Sequence, residues 1–436
     1  QKVSLPTYPF AKDIHWVENE KGAGNAVQSF TSPGVAPSGI VPKEGKDITY
    51  TVQWEREGGT EETNRAENVL IVANNSSLKL AKALERQMGG CKARIVDATD
   101  INKDRGLEDA ESAEHIYFLG GIQSIHESVE EDAFLEKAEE EGIFALFRLI
   151  KGLDRKGRME RPIRITVVTN NAYAIGTDEH IQPAGGSLYG FFNSVIKEYP
   201  ALEGSYLDID LKEAEEDVEV LGSMILKEKC YKELGEIGIR QGLRYARRIY
   251  PVQLSDKEPV AFRNEGVYVI LGGRGGIGTE MARYLARNYK ARIGLIGRRQ
   301  ELDAKDRALM EEVANAGGKI KYMAADGGNH KQIKEAIEAI EADFGSIHGV
   351  IHSAIVLNDK LVRNMEESDL KGVLWPKVNG SIGLYKAVRG KKLDFMLYLS
   401  SVQSFTGMAG QSNYSGACTF KDSYSRYIGS REKWNV

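Results

Sequence analysis

Val267-Tyr-Val-Ile-Leu271 runs directly into Gly272-Gly-Arg-Gly-Gly-Ile-Gly278, and this stretch decides the fold. The apolar, mostly β-branched or aromatic run predicts a buried strand. Ile277, Met281, Tyr284 and Leu285 recur at helical spacing, which predicts a helix after the glycines with those side chains on its inner face. The glycines therefore fall on a strand-to-helix turn, where main-chain amides and the positive end of a helix can meet a dinucleotide pyrophosphate. Gly273 is assigned the tight turn, and Gly275 and Gly276 the approach of amides to phosphate. Gly278 is assigned close helix packing, and Arg274 and Ile277 share the loop. A lone match among 46 glycines carries little weight; its placement between strand and helix gives it force.

Reading outward, Gly297-Arg-Arg299 follows the next strand, twenty residues past Gly278. Folds that bind NAD place an acid there for the ribose hydroxyl, whereas a guanidinium favours a 2′-phosphate. This predicts NADPH, with Arg298 as first choice, Arg299 beside it and Arg274 assisting. Lys321–Gly327 places Asp326 and Gly327 at another strand end, with Asp326 able to accept from an adenine amino group. His348–Ala354 ends with Ser353 and Ala354 along the expected dinucleotide path, and His352 reads as structural.

Asp394-Phe-Met-Leu-Tyr-Leu-Ser-Ser401 is a further buried strand ending in two serines, and Tyr414 follows Ser401 by thirteen residues at the start of a helical pattern. A serine at a strand end and a tyrosine on the next helix can both face a carbonyl above the sheet. Serine can polarise the oxygen and tyrosine can protonate the forming alkoxide. A free phenol titrates near 10, so a cation is expected beside it. Four residues on, where many short-chain dehydrogenases keep a lysine, stands Cys418.

Upstream, strand patterns at Ile48–Trp54, Asn68–Ala73, Ala93–Val96, His115–Leu119, Ile163–Thr169 and Ser205–Ile209 alternate with helical ones at Ser77–Met88 and Ala184–Lys197. Two tandem α/β units with parallel sheets are predicted, both Rossmann-like. The N-terminal one, 48–260, is expected to be truncated and to lack a cofactor loop, because Asn74-Asn-Ser-Ser77 has no glycine; 261–436 is the cofactor-binding unit. Residues 1–47 concentrate Pro, Gly and Ser and read as a linker.

The 436 residues carry a net charge of −5 with interspersed signs, which offers neither a nucleic-acid nor an anionic-membrane surface. No apolar run reaches membrane-spanning length. Three scattered cysteines (Cys91, Cys230, Cys418) argue for a reducing cytoplasm and against a disulfide framework or metal site. Beginning at Gln1 and ending at Val436, the sequence reads as a segment of a longer polypeptide.

The set Leu271–Gly278, Gly297-Arg-Arg299, His352-Ser-Ala354, Trp375-Pro-Lys-Val-Asn-Gly380, Ser400-Ser-Val402 and Gly410-Gln-Ser-Asn-Tyr414 resembles the ketoreductase domains of modular polyketide synthases over roughly residues 260–430. The resemblance implies NADPH-dependent reduction of a β-ketone carried as a phosphopantetheine thioester on an acyl carrier protein, beside other domains of the same synthase. It implies Tyr414 as proton donor and Ser401 as carbonyl hydrogen-bond donor. Lys377, from the Pro-Lys-Val-x-Gly segment, becomes the pKa-lowering cation and ribose anchor, with Lys421 the weaker alternative. It also makes the N-terminal unit a structural subdomain bracing the catalytic one.

Several positions depart from the family pattern. Cys418 stands where many members have asparagine, Leu271 where threonine is usual, and Ile355 where glycine is usual. The sequence also stops before the last strand and lid helix of the family. Leu357-Asn-Asp359 matches a stereochemical marker, with Thr406 in place of the tryptophan of the opposite type, so a D-configured alcohol is expected with Asp359 and Leu357 near the substrate. Leu5-Pro-Thr-Tyr-Pro-Phe10 resembles the tail of a post-ketosynthase linker, which implies a trans-acyltransferase assembly line. The competing readings are an inactive scaffold reductase and a free-standing short-chain dehydrogenase.

Overall fold

A computed structural model of the chain describes residues 49–59, 66–102, 104–176, 180–252 and 261–436. The linker expected over 1–47, with its Leu5–Phe10 segment, lies outside the described residues.

Two sheets organise the rest. The first is eight-stranded, in the order β1 (Thr49–Glu57), β8 (Leu243–Val252), β7 (Glu236–Arg240), β6 (Leu202–Ile209), β5 (Ile163–Asn170), β4 (His115–Gly121), β2 (Asn68–Ala73) and β3 (Lys92–Asp97). From β3 to β7 every neighbouring pair is parallel. β4 is buried at every position, as a strand covered on both faces must be. The second sheet is five-stranded and wholly parallel. Its order is β11 (Lys319–Ala324), β10 (Arg292–Gly297), β9 (Val267–Leu271), β12 (Gly349–His352) and β13 (Phe395–Tyr398). In both sheets the chain order reverses beside the first parallel strand, between β2 and β4 and between β9 and β12. Such switch points are where α/β sheets open a crevice.

One part of the first sheet was not legible as strands. β7 and β8 form an antiparallel hairpin through Gln241-Gly242, both with positive φ (52° and 66°), and β1 closes the edge against β8. β8 carries no apolar run because Arg244, Arg247 and Arg248 interrupt it. Arg244 bonds Glu57 and Glu228, and Arg247 bonds Glu236, so the edge is held by carboxylates.

The helix after the glycines, α3, spans Gly276–Tyr289. Its numbering here follows α1 (Leu78–Gln87) and α2 (Ser187–Ile196). Its inner face is displaced by one position from the expected one. Gly278, Ala282, Leu285 and Ala286 are buried, whereas Ile277 is 61% and Tyr284 45% exposed. The helix sits so close to the sheet that only small residues fit its first turns.

The two halves share a helix pair. α2 from the first half packs on the helix that carries Tyr414, Ser412–Gly429 (α6, after α4, Ala304–Asn315, and α5, Glu367–Val388). Gly186 and Gly190 make this possible. A Cβ on Gly190 would lie 2.3 Å from the Ser415 carbonyl oxygen, and one on Gly186 2.8 Å from Ser423 Cβ. Ser194 and Ser415 hydroxyls bond across the seam at 2.9 Å.

Candidate active site

At the end of β9 the left-handed residue is Gly272 (φ 84°), one position before the glycine expected to make the turn. Its α-carbon lies against the strand β12 as it ends, and a Cβ there would be 2.5 Å from both Cα and N of Ala354. Gly273 instead yields to Leu295 Cδ2, 2.5 Å from its would-be Cβ. Gly278 closes on the turn itself, 2.8 Å from the Gly272 oxygen and Gly273 Cα, as expected of the packing glycine. Gly276, the first residue of α3, has open space, and Gly275 before it offers no side-chain cap. The first-turn N–H groups of a helix lack intrahelical acceptors, and with open space at Gly276 and no side-chain cap this turn has room for an anionic group such as a pyrophosphate.

The cationic residues divide. Arg274 is not turned to the crevice. Its guanidinium bonds Asp306 and Asp303 at the start of α4 and the Glu301 carbonyl, and lies 5.2 Å from the centre of the Tyr322 ring. It therefore buttresses the loop. Arg298 is exposed, and Arg299, also exposed, reaches Asp303 at 3.3 Å. Asp326 accepts from Gly328 N (3.0 Å) and Trp375 Nε1 (3.3 Å), and Gly327 is buried beside it. The Ser353 amide pairs with the Leu271 carbonyl at 2.8 Å, which keeps Ser353 and Ala354 next to the turn.

The hydroxyls predicted to converge do so. The Ser401 hydroxyl and the Cys418 thiol are among the groups that act on the Tyr414 phenol. Ser401 lowers the phenol's pKa and Cys418 raises it. Burial is the largest influence and Cys418 the next, and together they push Tyr414 up to about 12. The direction is opposite to the lowering expected from Lys377. That lysine is buried, and its ammonium lies over the Tyr414 ring, 5.0 Å from the centroid.

The Trp375–Gly380 motif has a structural reason. Pro376 and Lys377 are inside α5, and Gly380 lets that helix touch the end of β11 and β12. A Cβ there would be 2.5 Å from the Gly327 oxygen and 3.1 Å from His352 Nε2. The freedom of the Gly380 position is what brings Lys377 under the tyrosine. Lys421, seven residues along α6, also points inward, and its Nζ reaches His352 Nδ1 at 3.1 Å and the Leu399 carbonyl at 3.0 Å.

The loop after β12 crosses in front of α6. Asp359 accepts from Gln411 Nε2 at 2.8 Å, Asn413 donates to the Asn358 carbonyl at 2.9 Å, and Leu357 is 58% exposed. Glu198, just after α2, accepts from the amides of Val362 (2.7 Å) and Gly410 (3.1 Å) and so ties both site loops to the first half. Asn193 similarly donates to the Phe405 carbonyl at 3.0 Å. These positioning residues were missed from sequence, and the only signal was the small-residue spacing Gly186, Gly190, Ser194 on one face of α2. A cavity of about 1480 Å³ opens at Ser400–Val402 and continues between α6 and the β1–β8 edge.

Sheet and hydroxyl pair together define a class, the Rossmann-type reductases of the short-chain kind. The particular family follows from comparison. Residues 266–433 match the family described as the KR domain, and this region belongs to that family of nicotinamide-dependent ketoreductases found in polyketide synthases. The chain is 31% identical over 364 residues to polyketide synthase PksN of Bacillus subtilis (strain 168), covering 83% of this chain and 6% of that protein. It is 31% identical over 299 residues to polyketide synthase ThaG of Burkholderia thailandensis, covering 69% of this chain and 5% of that protein. The chain thus spans a small fraction of these relatives. An N-terminal ketoreductase from the macrolactin assembly line superposes with a TM-score of 0.73 at 20% identity, over 88% of this chain and 81% of that one. A ketoreductase domain from the bacillaene assembly line gives 0.64 at 20%, over 89% and 84%. At these identities the likeness is one of fold.

Proposed function

We propose that the chain reduces the β-keto group of an acyl-carrier-bound polyketide intermediate to a β-hydroxyl, using NADPH. The observation that carries this reading is the meeting of the Ser401 and Tyr414 hydroxyls with Lys377 packed on the tyrosine ring. When bound at the glycine turn, NADPH supplies the hydride. The remaining chemistry belongs to the chain. Ser401 can give its proton to a substrate carbonyl. Tyr414 stays a neutral phenol at working pH and can deliver its proton to the forming alkoxide. Lys377, packed over the ring face at 5.0 Å from its centroid, helps hold the tyrosine in place.

In this reading Arg298 takes the 2′-phosphate, Asp326 the adenine, and Ser353 and Ala354 flank the dinucleotide. Residues 48–260 act as a structural brace and 261–436 as the catalytic part. The carrier protein brings a phosphopantetheine thioester, in the cytoplasm and within a trans-acyltransferase assembly line. Among the described residues no helix is long and apolar enough to cross a membrane. Asp359, fixed by Gln411 three residues before Tyr414, sets the face presented to the hydride, and the expected product is the D-alcohol.

The test is NADPH oxidation with a β-ketoacyl thioester, followed by chiral analysis. Tyr414→Phe should keep NADPH binding and lose about 10²–10⁴ in kcat. A wild-type protein that binds NADPH without turnover would favour the scaffold reading, and indifference to the carrier would favour a free-standing dehydrogenase.

A further inference from the structure

Residues 354–360, which follow β12 and carry Leu357 and Asp359, form neither helix nor strand, and among the described residues no backbone-to-backbone hydrogen bond reaches them. Side chains hold the stretch instead. Two of its contacts run to the start of α6, where Gln411 donates to Asp359 and Asn413 donates to the Asn358 carbonyl. Asn413 is fully buried, and its Oδ1 accepts from the Tyr414 amide at 2.7 Å, so this support is continuous with the backbone of the tyrosine. The other two contacts both run to one carboxylate, Asp369, in the first turn of α5, the helix that carries Lys377. Asn358 Nδ2 donates to its Oδ1 and Lys360 Nζ to its Oδ2, each at 2.8 Å.

Asp369 is itself immobilised. Its Oδ2 also accepts from the Glu366 amide at 2.8 Å, one half of the capping box that opens α5, and the Glu366 side chain accepts from the Asp369 amide in return. An ion pair near water adds little when both side chains must be ordered to meet. Here the acceptor is fixed by its helix before the loop arrives, so only Asn358 and Lys360 lose freedom. Lys360 first, and the Glu366 amide next, hold the Asp369 carboxyl down at about 2, so it is ionised during the reduction.

We infer that Asp369 is a positioning residue that suspends the Asn358–Lys360 stretch between α5 and α6 and so fixes which face of the substrate carbonyl meets the hydride. Without it the stretch hangs from α6 alone, and a displacement on the order of 1 Å is enough to admit the other face. In the reductase reading the substrate lies near Asp359 and Leu357; Asp369 acts through them and touches no reacting atom. The consequence for stereochemistry rests on that reading, while the suspension itself is measurable without substrate.

The experiment uses the whole chain and compares Asp369→Ala and Asp369→Asn with Glu366→Ala, which opens the same capping box and leaves the loop contacts in place. Hydrogen–deuterium exchange of the peptide covering 354–361 should speed up about tenfold in Asp369→Ala and stay within about twofold of wild type in Glu366→Ala. In the thioester assay, chiral analysis should show the ratio of major to minor alcohol falling about tenfold in Asp369→Ala, with kcat within about threefold. Asp369→Asn, which keeps an oxygen for Asn358 and loses the charge facing Lys360, should fall between Asp369→Ala and wild type. With Asn358→Ala and Lys360→Met already present, adding Asp369→Ala should change the ratio by less than about twofold, because its partners in the loop are gone. A folded Asp369→Ala with the wild-type ratio overturns the inference, whatever its exchange. An equal loss of ratio in Glu366→Ala also overturns it, since the helix cap would then be the cause. If Asp369→Ala does not fold, Asn358→Ala with Lys360→Met removes the same two bonds from the loop side, and wild-type exchange and ratio there overturn it. If the wild type reduces nothing yet exchange responds as described, the reductase reading falls and the suspension stands.

Discussion

After β2 the chain turns through Asn74–Ser77, and after β9 through Gly272–Gly278; both turns lie at the switch point of a parallel sheet. In the first, side chains fill the crevice. Asn74 Nδ2 donates to the carbonyls of Gly120 (3.3 Å) and Ile122 (2.9 Å) at the end of β4, while its Oδ1 accepts from the amide and hydroxyl of Ser77, both at 3.0 Å. In the second, bare backbone abuts backbone at Gly272 and Ala354, and the space beside Gly276 is left open. The same architecture therefore yields a joint or a binding cradle according to whether the turn satisfies itself. A residue that closes the switch point with its own hydrogen bonds turns a ligand site into scaffold.

The contrast breaks most sharply at Gly272. Gly272→Val places a branched side chain at φ 84° with Cβ 2.5 Å from the Ala354 backbone. Neither the conformation nor the space tolerates it. NADPH binding, followed by nicotinamide fluorescence, should be lost and the melting temperature should fall. Asn74→Ala is the counterpart in the other turn. It strands buried partners at the end of β4 and should cost about 1–3 kcal/mol in urea unfolding, with NADPH affinity unchanged. Loss of NADPH binding in Asn74→Ala would show that the first turn shapes the second and that the division of labour is wrong.

Much of this was legible because the second unit advertises itself in backbone terms. Glycines between an apolar strand and a helix, and Ser401 and Tyr414 at fixed spacing, fall where sheet topology alone requires. Three things were hidden. The offset of the α3 face came from the closeness of helix to sheet, which periodicity cannot register. The contacts of Arg274 depended on Asp303 and Asp306, a carboxylate pair at the start of the next helix. The direction of the Tyr414 shift depended on burial and on Cys418, while Lys377 lies over the ring face. Long-range partners of this kind leave no local pattern. Glu198 is the clearest instance: nothing near it in sequence says that it holds two loops of the other half.

A second difference concerns buried histidines. His352 at the end of β12 is bound into the lysine group of the site, whereas His115 at the start of β4 bonds only scaffold, with Nε2 2.9 Å from Thr166 Oγ1 and its ring stacked on Tyr117. Burial first, then Arg164, lowers His115 from 6.5 to about 3. A depressed folded-state value means that the unfolded chain takes the proton first as pH falls. The associated stability is complete above 6.5 and is lost progressively down to about 3, at roughly 1.4 kcal/mol per unit. His115→Gln should remove this slope. Urea unfolding at pH 7 and pH 4.5 should show wild type losing roughly 3 kcal/mol more than the variant between the two. Equal losses would mean that His115 is already charged in the folded protein.

The smallest expected effect compares the next strand ends. β3 ends in Asp97, whose Oδ1 is used locally, accepting from the amide (2.8 Å) and hydroxyl (2.6 Å) of Thr99. β10 ends at Gly297, and the exposed Arg298 and Arg299 follow. An acid consumed by its own turn and an unburied pair of guanidiniums at the same place in the topology should differ in what they do to a 2′-phosphate. Arg298→Ala should raise the NADPH dissociation constant about tenfold, the size of one charge-assisted hydrogen bond, and leave NADH affinity unaltered. Arg299→Ala should do less, because that side chain already leans on Asp303 at 3.3 Å. A larger loss in Arg299→Ala would transfer the phosphate to the second arginine and require its contact with Asp303 to break on binding. Parallel losses of NADPH and NADH in Arg298→Ala would mean that the residue shapes the turn without reading the phosphate.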